Sequence, residues 1–106
     1  MEGIELICFQ IISAVGMARS SFIEAIKEAR KFNFENAATK IKEGDEYFVK
    51  GHQCHAELIQ QEASGNHLQP NLLLIHAEDQ MMSAETIKIL AEELIYNYTE
   101  MNKLKK

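Results

Sequence analysis

Apolar residues recur along the first thirty positions at alternating spacings of four and three. A heptad-like stripe of this kind is typical of a helix that packs against partner helices, and it predicts a helix from about Glu2 to Lys31. Gly16 lies inside the pattern, where it either weakens a continuous helix by about 1 kcal/mol relative to alanine or allows a second helix to approach closely. The stripe consists of Ile4, Cys8, Ile11, Val15, Ala18, Phe22, Ala25 and Ala29.

The same periodicity predicts two further helices. The second runs from about Phe34 to Ala63, with Asn33 as a suitable N-cap and Gly65 as a candidate C′ glycine. The third runs from about Leu72 to Lys103, after a loop at residues 64–71 that contains the single proline. The stripe expected on the second helix, which polar residues interrupt, consists of Ala38, Ile41, Asp45, Phe48, His52, His55 and Ile59.

The third helix carries two stripes rather than one. The main stripe consists of Leu73, Ala77, Gln80, Ala84, Ile87, Ala91, Leu94, Tyr98 and Met101. The second consists of Ile75, Asp79, Met82, Thr86, Leu90, Glu93 and Asn97. Two other helices leave the second stripe without a partner, so we expect the chain to self-associate.

These elements predict an all-α fold in which residues 1–106 form a single domain of three long antiparallel helices. The 46% hydrophobic and 25% charged composition is typical of a soluble globular protein. A formal net charge of -5 argues against nucleic acid as a partner, because no basic patch is present to neutralise phosphates. Cys8 and Cys54 lack a CxxC neighbour and fit a reducing compartment. Residues 4–18 are apolar but too short and interrupted to cross a bilayer, so we expect a cytoplasmic protein.

The most unusual polar residues are His76 and Asp79, which lie one helical turn apart within strongly apolar sequence. An imidazole is a competent nucleophile near neutral pH, and apolar surroundings would limit hydrolysis of a phosphohistidine. The alternative is a core histidine that is satisfied by Asp79 or by a backbone carbonyl. His52 and His55 have the spacing to share a metal, but without a second ligand cluster we interpret them as polar seam residues or supports of the site.

Four segments together resemble a known family. Residues 72–82 (LLLIHAEDQMM) resemble the active-site helix of the lactose/cellobiose-type IIA components of the bacterial sugar phosphotransferase system, a family that also includes N,N'-diacetylchitobiose components. Residues 16–21 (GMARSS), 34–37 (FENA) and 55–60 (HAELIQ) are similar to the same family. The resemblance covers nearly the whole chain.

The resemblance implies a cytoplasmic homotrimer with a spectrin-repeat-like three-helix protomer and a nine-helix bundle. It implies that His76, through Nε2, accepts a phosphoryl group from HPr and passes it to a cysteine of a IIB component, while a membrane IIC component imports a disaccharide such as cellobiose, lactose or chitobiose. It also implies that Asp79 of each protomer binds a shared divalent cation such as Mg²⁺ on the trimer axis.

Two positions depart from many relatives. Gln80 stands where some relatives have histidine, and we expect it to be a hydrogen-bond donor to the phosphoryl oxygens. Glu78 replaces a glutamine that is common in relatives and adds acidity near His76. Two rival functions stay open: a non-catalytic helical adaptor, and a metal-binding bundle that uses His52, His55, His76 and Asp79.

Overall fold

The computed structural model describes residues 3–105, and these form three helices: α1 (Gly3–Arg30), α2 (Phe34–Ala63) and α3 (Leu72–Leu104). The predicted all-α architecture and the helix bounds are therefore confirmed to within a residue at the ends that can be compared. The start predicted at Glu2 lies outside the described residues. Successive helices run antiparallel in a rod of 60 × 20 × 19 Å.

α1 is the central helix of the protomer, because it packs extensively against both α2 and α3 whereas α2 and α3 touch each other only slightly. The predicted stripe is confirmed: its members are buried, apart from a partly buried Ile4. α1 also includes an 18-residue window of mean hydropathy 1.6, so by length and composition alone it passes the test for a membrane-spanning helix. Its buried stripe forms part of the protein core, and 28% of that window is buried within the protomer.

The predicted stripe on α2 is partly wrong, because Ala38, His52 and Ile59 are exposed. The buried positions are Ala37, Gly44, Gly51 and Leu58, spaced by exact heptads, with half-buried Ile41, Phe48 and His55 between them. Two of the four buried positions are glycines, which a search for apolar side chains passes over.

Those glycines set the distance between α1 and α2. A Cβ atom at Gly51 would lie 2.5 Å from Cγ1 of Val15, and one at Gly44 would lie 2.5 Å from Cε1 of Phe22. Both are closer than real Cβ contacts, so the two helices approach where side chains are missing. Gly16, which was considered for this role, has nothing within 4 Å of its Cβ position, and that interpretation is wrong.

The helix ends differ from expectation at one place. Asn33 occupies the N-cap of α2, but its side chain makes no capping bond; Nδ2 instead donates to Glu28 Oε2 at 3.1 Å. Gly65 follows the C-cap residue Ser64 with φ of 96°, a left-handed conformation in which glycine is favoured, so its predicted role is confirmed.

Both stripes on α3 are present as predicted. The main stripe faces α1 and is buried or half-buried except at Met101. Every member of the second stripe is exposed, including Ile75 at 58% and Met82 at 65%. The protomer therefore displays an exposed stripe along α3 whose apolar members are Ile75, Met82 and Leu90.

Candidate functional site

His76 lies in the second turn of α3, and the start of that helix is well defined. The Asn71 side chain accepts a hydrogen bond from the Leu74 N–H at 2.8 Å, and the Asn71 carbonyl accepts from Ile75 N at 3.0 Å. This cap fixes the helix where the sequence changes from loop to apolar residues. The cap therefore fixes the position of the His76 imidazole near the end of the three-helix rod.

The His76 side chain is exposed, which excludes the alternative of a core histidine. It borders an open apolar concavity of about 470 Å³ together with Leu72 and Leu73. Helical side chains lean toward the helix N-terminus, so the imidazole lies over the first turn of α3. An incoming group would meet the ring in a largely apolar setting.

The first turn of α3 also supplies the favourable electrostatics of this region. The N–H groups at a helix start lack intrahelical acceptors, and the helix dipole places partial positive charge there. An anion beside His76 gains about 0.3–1 kcal/mol from this field at an exposed position. The site can therefore tolerate a phosphoryl group, although it does not bind one strongly.

The two other predicted site residues take different positions. Asp79 is exposed on the second stripe, where Ile75 and Met82 lie one turn away on either side. Gln80 is half-buried on the main stripe. Within residues 3–105 no side-chain hydrogen bond joins His76 to either of them, so the structure does not form a His76–Asp79 dyad.

A contact that sequence reasoning did not identify lies beside the site. The Nε2 atom of His55 on α2 is 2.6 Å from Oε1 of Glu78 on α3. The His55 side chain is 15% exposed and the Glu78 side chain 45%. Both residues had been noted separately, His55 as a support and Glu78 for its acidity, but their separation of 23 positions gave no signal that they meet.

The remaining histidines do not join this site. His52 is exposed and stacks on Phe48 with ring centroids 6.2 Å apart. His67 contacts Glu62 in the loop at 3.4 Å. Among the described residues, no three side chains of the His, Cys, Asp and Glu types come together to hold a metal ion. A metal centre built from the histidines of one protomer therefore has no support.

The two thiols are shielded rather than reactive. Burial raises the pKa of Cys8, and the nearby carboxylates of Glu78 and Glu5 raise it further. Burial and Glu57 likewise raise the pKa of Cys54. Both therefore stay in the thiol form near neutral pH, and thiolate chemistry is disfavoured.

Acidic and basic residues are unevenly distributed along the three-helix rod. Residues 3–18 and 51–87, which pack together at the end that carries His76, include no lysine or arginine. The same ranges include six carboxylates, at Glu5, Glu57, Glu62, Glu78, Asp79 and Glu85. The end with the exposed imidazole is therefore acidic, and Arg19, Lys50 and Lys88 lie just outside these ranges.

Comparison with known proteins agrees with this arrangement. The family model described as the PTS system, lactose/cellobiose-specific IIA subunit, matches residues 6–99. The chain is 41% identical to the lichenan-specific phosphotransferase enzyme IIA component of Bacillus subtilis, over 94% of this chain and 91% of that protein. It is 30% identical to the lactose-specific EIIA component of Staphylococcus epidermidis, over 92% and 93% of the two chains.

A solved structure shows the same fold. The crystal structure of the PTS cellobiose-specific enzyme IIA from Bacillus anthracis superposes with a TM-score of 0.92 at 36% sequence identity, covering 100% of this chain and 97% of that one. Sequence and fold thus agree over the three helices that build the candidate site. The chain belongs to the lactose/cellobiose-specific IIA family of the sugar phosphotransferase system, and it is a phosphoryl-carrying component of that system.

Proposed function

We propose that His76 is the phosphoryl-carrying residue, which accepts the group from phospho-HPr and passes it to a cysteine of a IIB component. The observation that carries this proposal is the exposed imidazole beside an apolar concavity on the first turns of α3. A partner protein can reach such a ring, and the apolar rim excludes water once the partner has docked.

The chemistry needs little from the rest of the chain. A lone pair on a neutral imidazole nitrogen of His76 attacks phosphorus, the new P–N bond forms, and the bond from phosphorus to the donor histidine breaks. The donor leaves as a neutral imidazole and no net proton is exchanged. In the second step the cysteine thiolate of the acceptor attacks the same phosphorus, and the His76 ring leaves. Gln80, four positions after His76 on α3, would donate a hydrogen bond to the phosphoryl oxygens.

The second stripe on α3 supports a homotrimer as the working assembly. Its exposed members include Ile75, Met82 and Leu90, and three copies would bury these side chains against one another. Asp79 lies between Ile75 and Met82 on this face. One carboxylate from each protomer would repel the others, and a hard divalent cation such as Mg²⁺, which prefers oxygen ligands, would remove that conflict when bound.

The relatives suggest the substrate class and the setting. They are named for lichenan, lactose and cellobiose, so the transported sugar is a disaccharide of the cellobiose or lactose kind. The chain itself meets the HPr and IIB proteins and not the sugar, in the cytoplasm, where phosphoenolpyruvate supplies the phosphoryl group.

Phosphoryl transfer is the direct test. The chain is incubated with phosphoenolpyruvate, enzyme I and HPr, and intact-mass measurement looks for an added phosphate that is acid-labile and base-stable. We expect His76→Gln to abolish the label and His67→Gln, which alters another exposed histidine, to keep it. An unlabelled wild-type chain would contradict the proposal and favour a non-catalytic adaptor. A labelled His76→Gln variant would contradict the assignment of His76 and place the phosphoryl group on another residue.

The axial cation is tested separately, by sizing and by metal analysis of purified protein. We expect Asp79→Leu to remain trimeric, because an apolar side chain suits the buried axis, and to lose its bound divalent cation. An unchanged metal content in that variant would exclude Asp79 as the ligand. A monomeric wild-type protein at micromolar concentration would exclude the trimer.

A further inference from the structure

Arg19 on α1 is a half-buried cation without a counter-ion inside the described part of the protomer. Its Nε atom is shielded from solvent and makes no hydrogen bond. Asp45 Oδ1 is shielded in the same way, but Lys88 Nζ lies 2.9 Å from it. The ion pairs within residues 3–105 all involve side chains other than Arg19. A shielded donor without an acceptor is costly, so we expect the acceptor to come from outside the protomer.

The flank of α1 that carries Arg19 borders α3 and not α2. On the other flank, Gln10, Ala14 and Met17 line a groove shared with α2. At helical spacing, Arg19 lies on the opposite side of the buried stripe from these three residues. Since α1 packs against both helices, that side is the one next to α3. α1 itself offers no acidic neighbour, because the positions one turn from Arg19 are Val15, Gly16, Phe22 and Ile23.

The height of Arg19 along the rod separates it from the phosphoryl site. α1 and α3 run parallel, because each is antiparallel to α2. Ala18 and Phe22 pack with Ala91, so Arg19 lies level with the turn of α3 around Ile89. His76 is 13 positions before Ile89, which is about 20 Å along a helix axis. Arg19 is therefore too far along the rod to contact a phosphoryl group on His76.

Glu93 is the carboxylate of α3 that matches Arg19 in height. It is exposed on the second stripe, one turn beyond Ile89. Glu85 and Glu92 follow Glu78 at heptad spacing, on the edge of α3 where Glu78 contacts α2. Glu93 takes part in none of the ion pairs that the described residues form. An unpaired carboxylate thus lies on the stripe that borders the flank of the unpaired cation.

We infer that Arg19 forms an ion pair with Glu93 of the neighbouring protomer, so that three such pairs surround the seam between the α3 helices of the homotrimer. The inference rests on the proposed trimer, in which the second stripe is the contact face. Asp79 and Glu93 are the carboxylates of that stripe, which includes no cation. Three copies of Glu93 brought together would repel one another. One guanidinium from each α1 removes that repulsion and gives Arg19 the acceptor that its own protomer lacks.

The distances between packed helices permit this pair. Axes of neighbouring helices in bundles lie about 8–10 Å apart, and an arginine and a glutamate side chain together span that gap. The two residues come within one turn of the same height only when the protomers are parallel. Charged pairs at the edge of a helical seam set orientation and partner choice. The pair therefore favours a parallel trimer, which has all three copies of His76 at one end.

The expected size of the effect is large because each trimer has three copies of the pair. A shielded charge-assisted bond contributes about tenfold to an equilibrium constant, so three contribute about a thousandfold to the trimer dissociation constant. Since that constant scales with the square of protomer concentration, the midpoint of dissociation should rise about thirtyfold when the pairs are lost.

Charge reversal tests the pair in the full chain, by sedimentation velocity over a series of protein concentrations. Arg19→Glu and Glu93→Arg should each raise the midpoint concentration by at least about thirtyfold. The double variant should return close to the wild-type midpoint, because opposite charges meet again. Arg19→Glu combined with Glu92→Arg is the matched control, and we expect no rescue, because position 92 lies on the edge of α3 toward α2.

The outcomes separate the inference from the trimer itself. Single variants with the wild-type midpoint, or a double variant as weak as the single ones, would overturn the pair. Rescue by Glu92→Arg would assign the effect to net charge and would also overturn it. A wild-type chain that is monomeric at micromolar concentration fails the proposed trimer, and this inference falls with it.

A second measurement keeps the cation in place and does not depend on how well the reversal variants fold. Arg19→Lys supplies an amine that a zero-length carbodiimide joins to a carboxylate in direct contact. Light and isotope-labelled chains of this variant exchange subunits by dilution and reconcentration before cross-linking. We expect peptides that contain positions 19 and 93 to be joined in light–heavy pairs, and the wild-type chain to give none. A trimeric variant that joins these positions only within one chain, or does not join them, would overturn the inference.

Discussion

The close approach of α1 and α2 gives a prediction with a built-in control, the paired variants Gly51→Ala and Gly16→Ala. At Gly51 the new Cβ would lie 2.5 Å from Cγ1 of Val15, a side chain that is 1% exposed. Valine has few χ1 options in a helix, so it cannot turn away and the helices have to separate. At Gly16 the new Cβ meets nothing within 4 Å.

Two effects of a glycine-to-alanine substitution change the free energy of unfolding in opposite directions. Overpacking a close core contact costs about 1–3 kcal/mol, while replacing a mid-helix glycine by alanine gains about 1 kcal/mol. Gly51→Ala should therefore lose up to about 2 kcal/mol of unfolding free energy, and Gly16→Ala should gain about 1 kcal/mol. Both variants gain the same helix-propensity contribution, so their stabilities should differ by the overpacking cost of about 1–3 kcal/mol.

Urea unfolding followed by circular dichroism measures this difference. With an m-value of about 1–3 kcal/mol per molar urea, the two midpoints should be separated by roughly 1–2 M. Protein concentration has to be fixed, because self-association adds to apparent stability. A Gly51→Ala variant as stable as Gly16→Ala would refute the close-packed seam, and a destabilised Gly16→Ala would refute the open environment of that glycine.

Three further predictions concern the loop, the cap and the partner. Bonds from the Leu68 N–H and from His67 lower the pKa of Glu62. The stability they give the loop is present above the usual carboxyl pKa and lost as the pH falls through the lowered value, so the hydrogen-exchange protection of the Leu68 amide, relative to its intrinsic exchange rate at each pH, should fall in acid. Asn71→Ala removes the side-chain cap of α3 and should cost about 1 kcal/mol by urea unfolding, more than Asn33→Ala, because Asn33 makes no capping bond. The acidic end predicts that affinity for HPr, measured by calorimetry, falls as salt rises; an affinity that does not depend on ionic strength would contradict the charge argument.

The fold was predictable wherever the apolar pattern was carried by side chains. The α1 stripe and both α3 stripes repeat at helical spacing, and each lies where the pattern placed it. The α2 seam was misplaced by one position because its buried heptad positions include Gly44 and Gly51, which have no side chain to signal burial. A close approach of two helices at glycines shows itself only as a short distance between a glycine and the facing helix. That distance can be measured only in a structure that contains both helices.

The positions of the candidate site residues on α3 were predictable, but their contacts were not. The motif around His76 identified the helix, and the spacing placed Asp79 one turn away. Spacing alone suggested a dyad, whereas the structure leaves both side chains exposed without a bond between them within residues 3–105. The His55–Glu78 contact links two helices that are far apart in sequence, so no local pattern encodes it.

Lysine and arginine are absent from residues 3–18 and 51–87, which form the end of the rod that carries His76. This absence bears directly on how a phosphoryl carrier works. A phosphoryl group that has to move on should not be held tightly, because every 1.4 kcal/mol of added stabilisation shifts the transfer equilibrium tenfold toward the carrier. A resident arginine paired with the phosphoryl oxygens would contribute about 1.5–3 kcal/mol through charge-assisted bonds. The chain instead offers a weak helix dipole near His76. By the proposed role of His76, cations supplied by a docked partner would act only during transfer and would leave with that partner. The acidic end would therefore keep the phosphoryl group transferable in either direction.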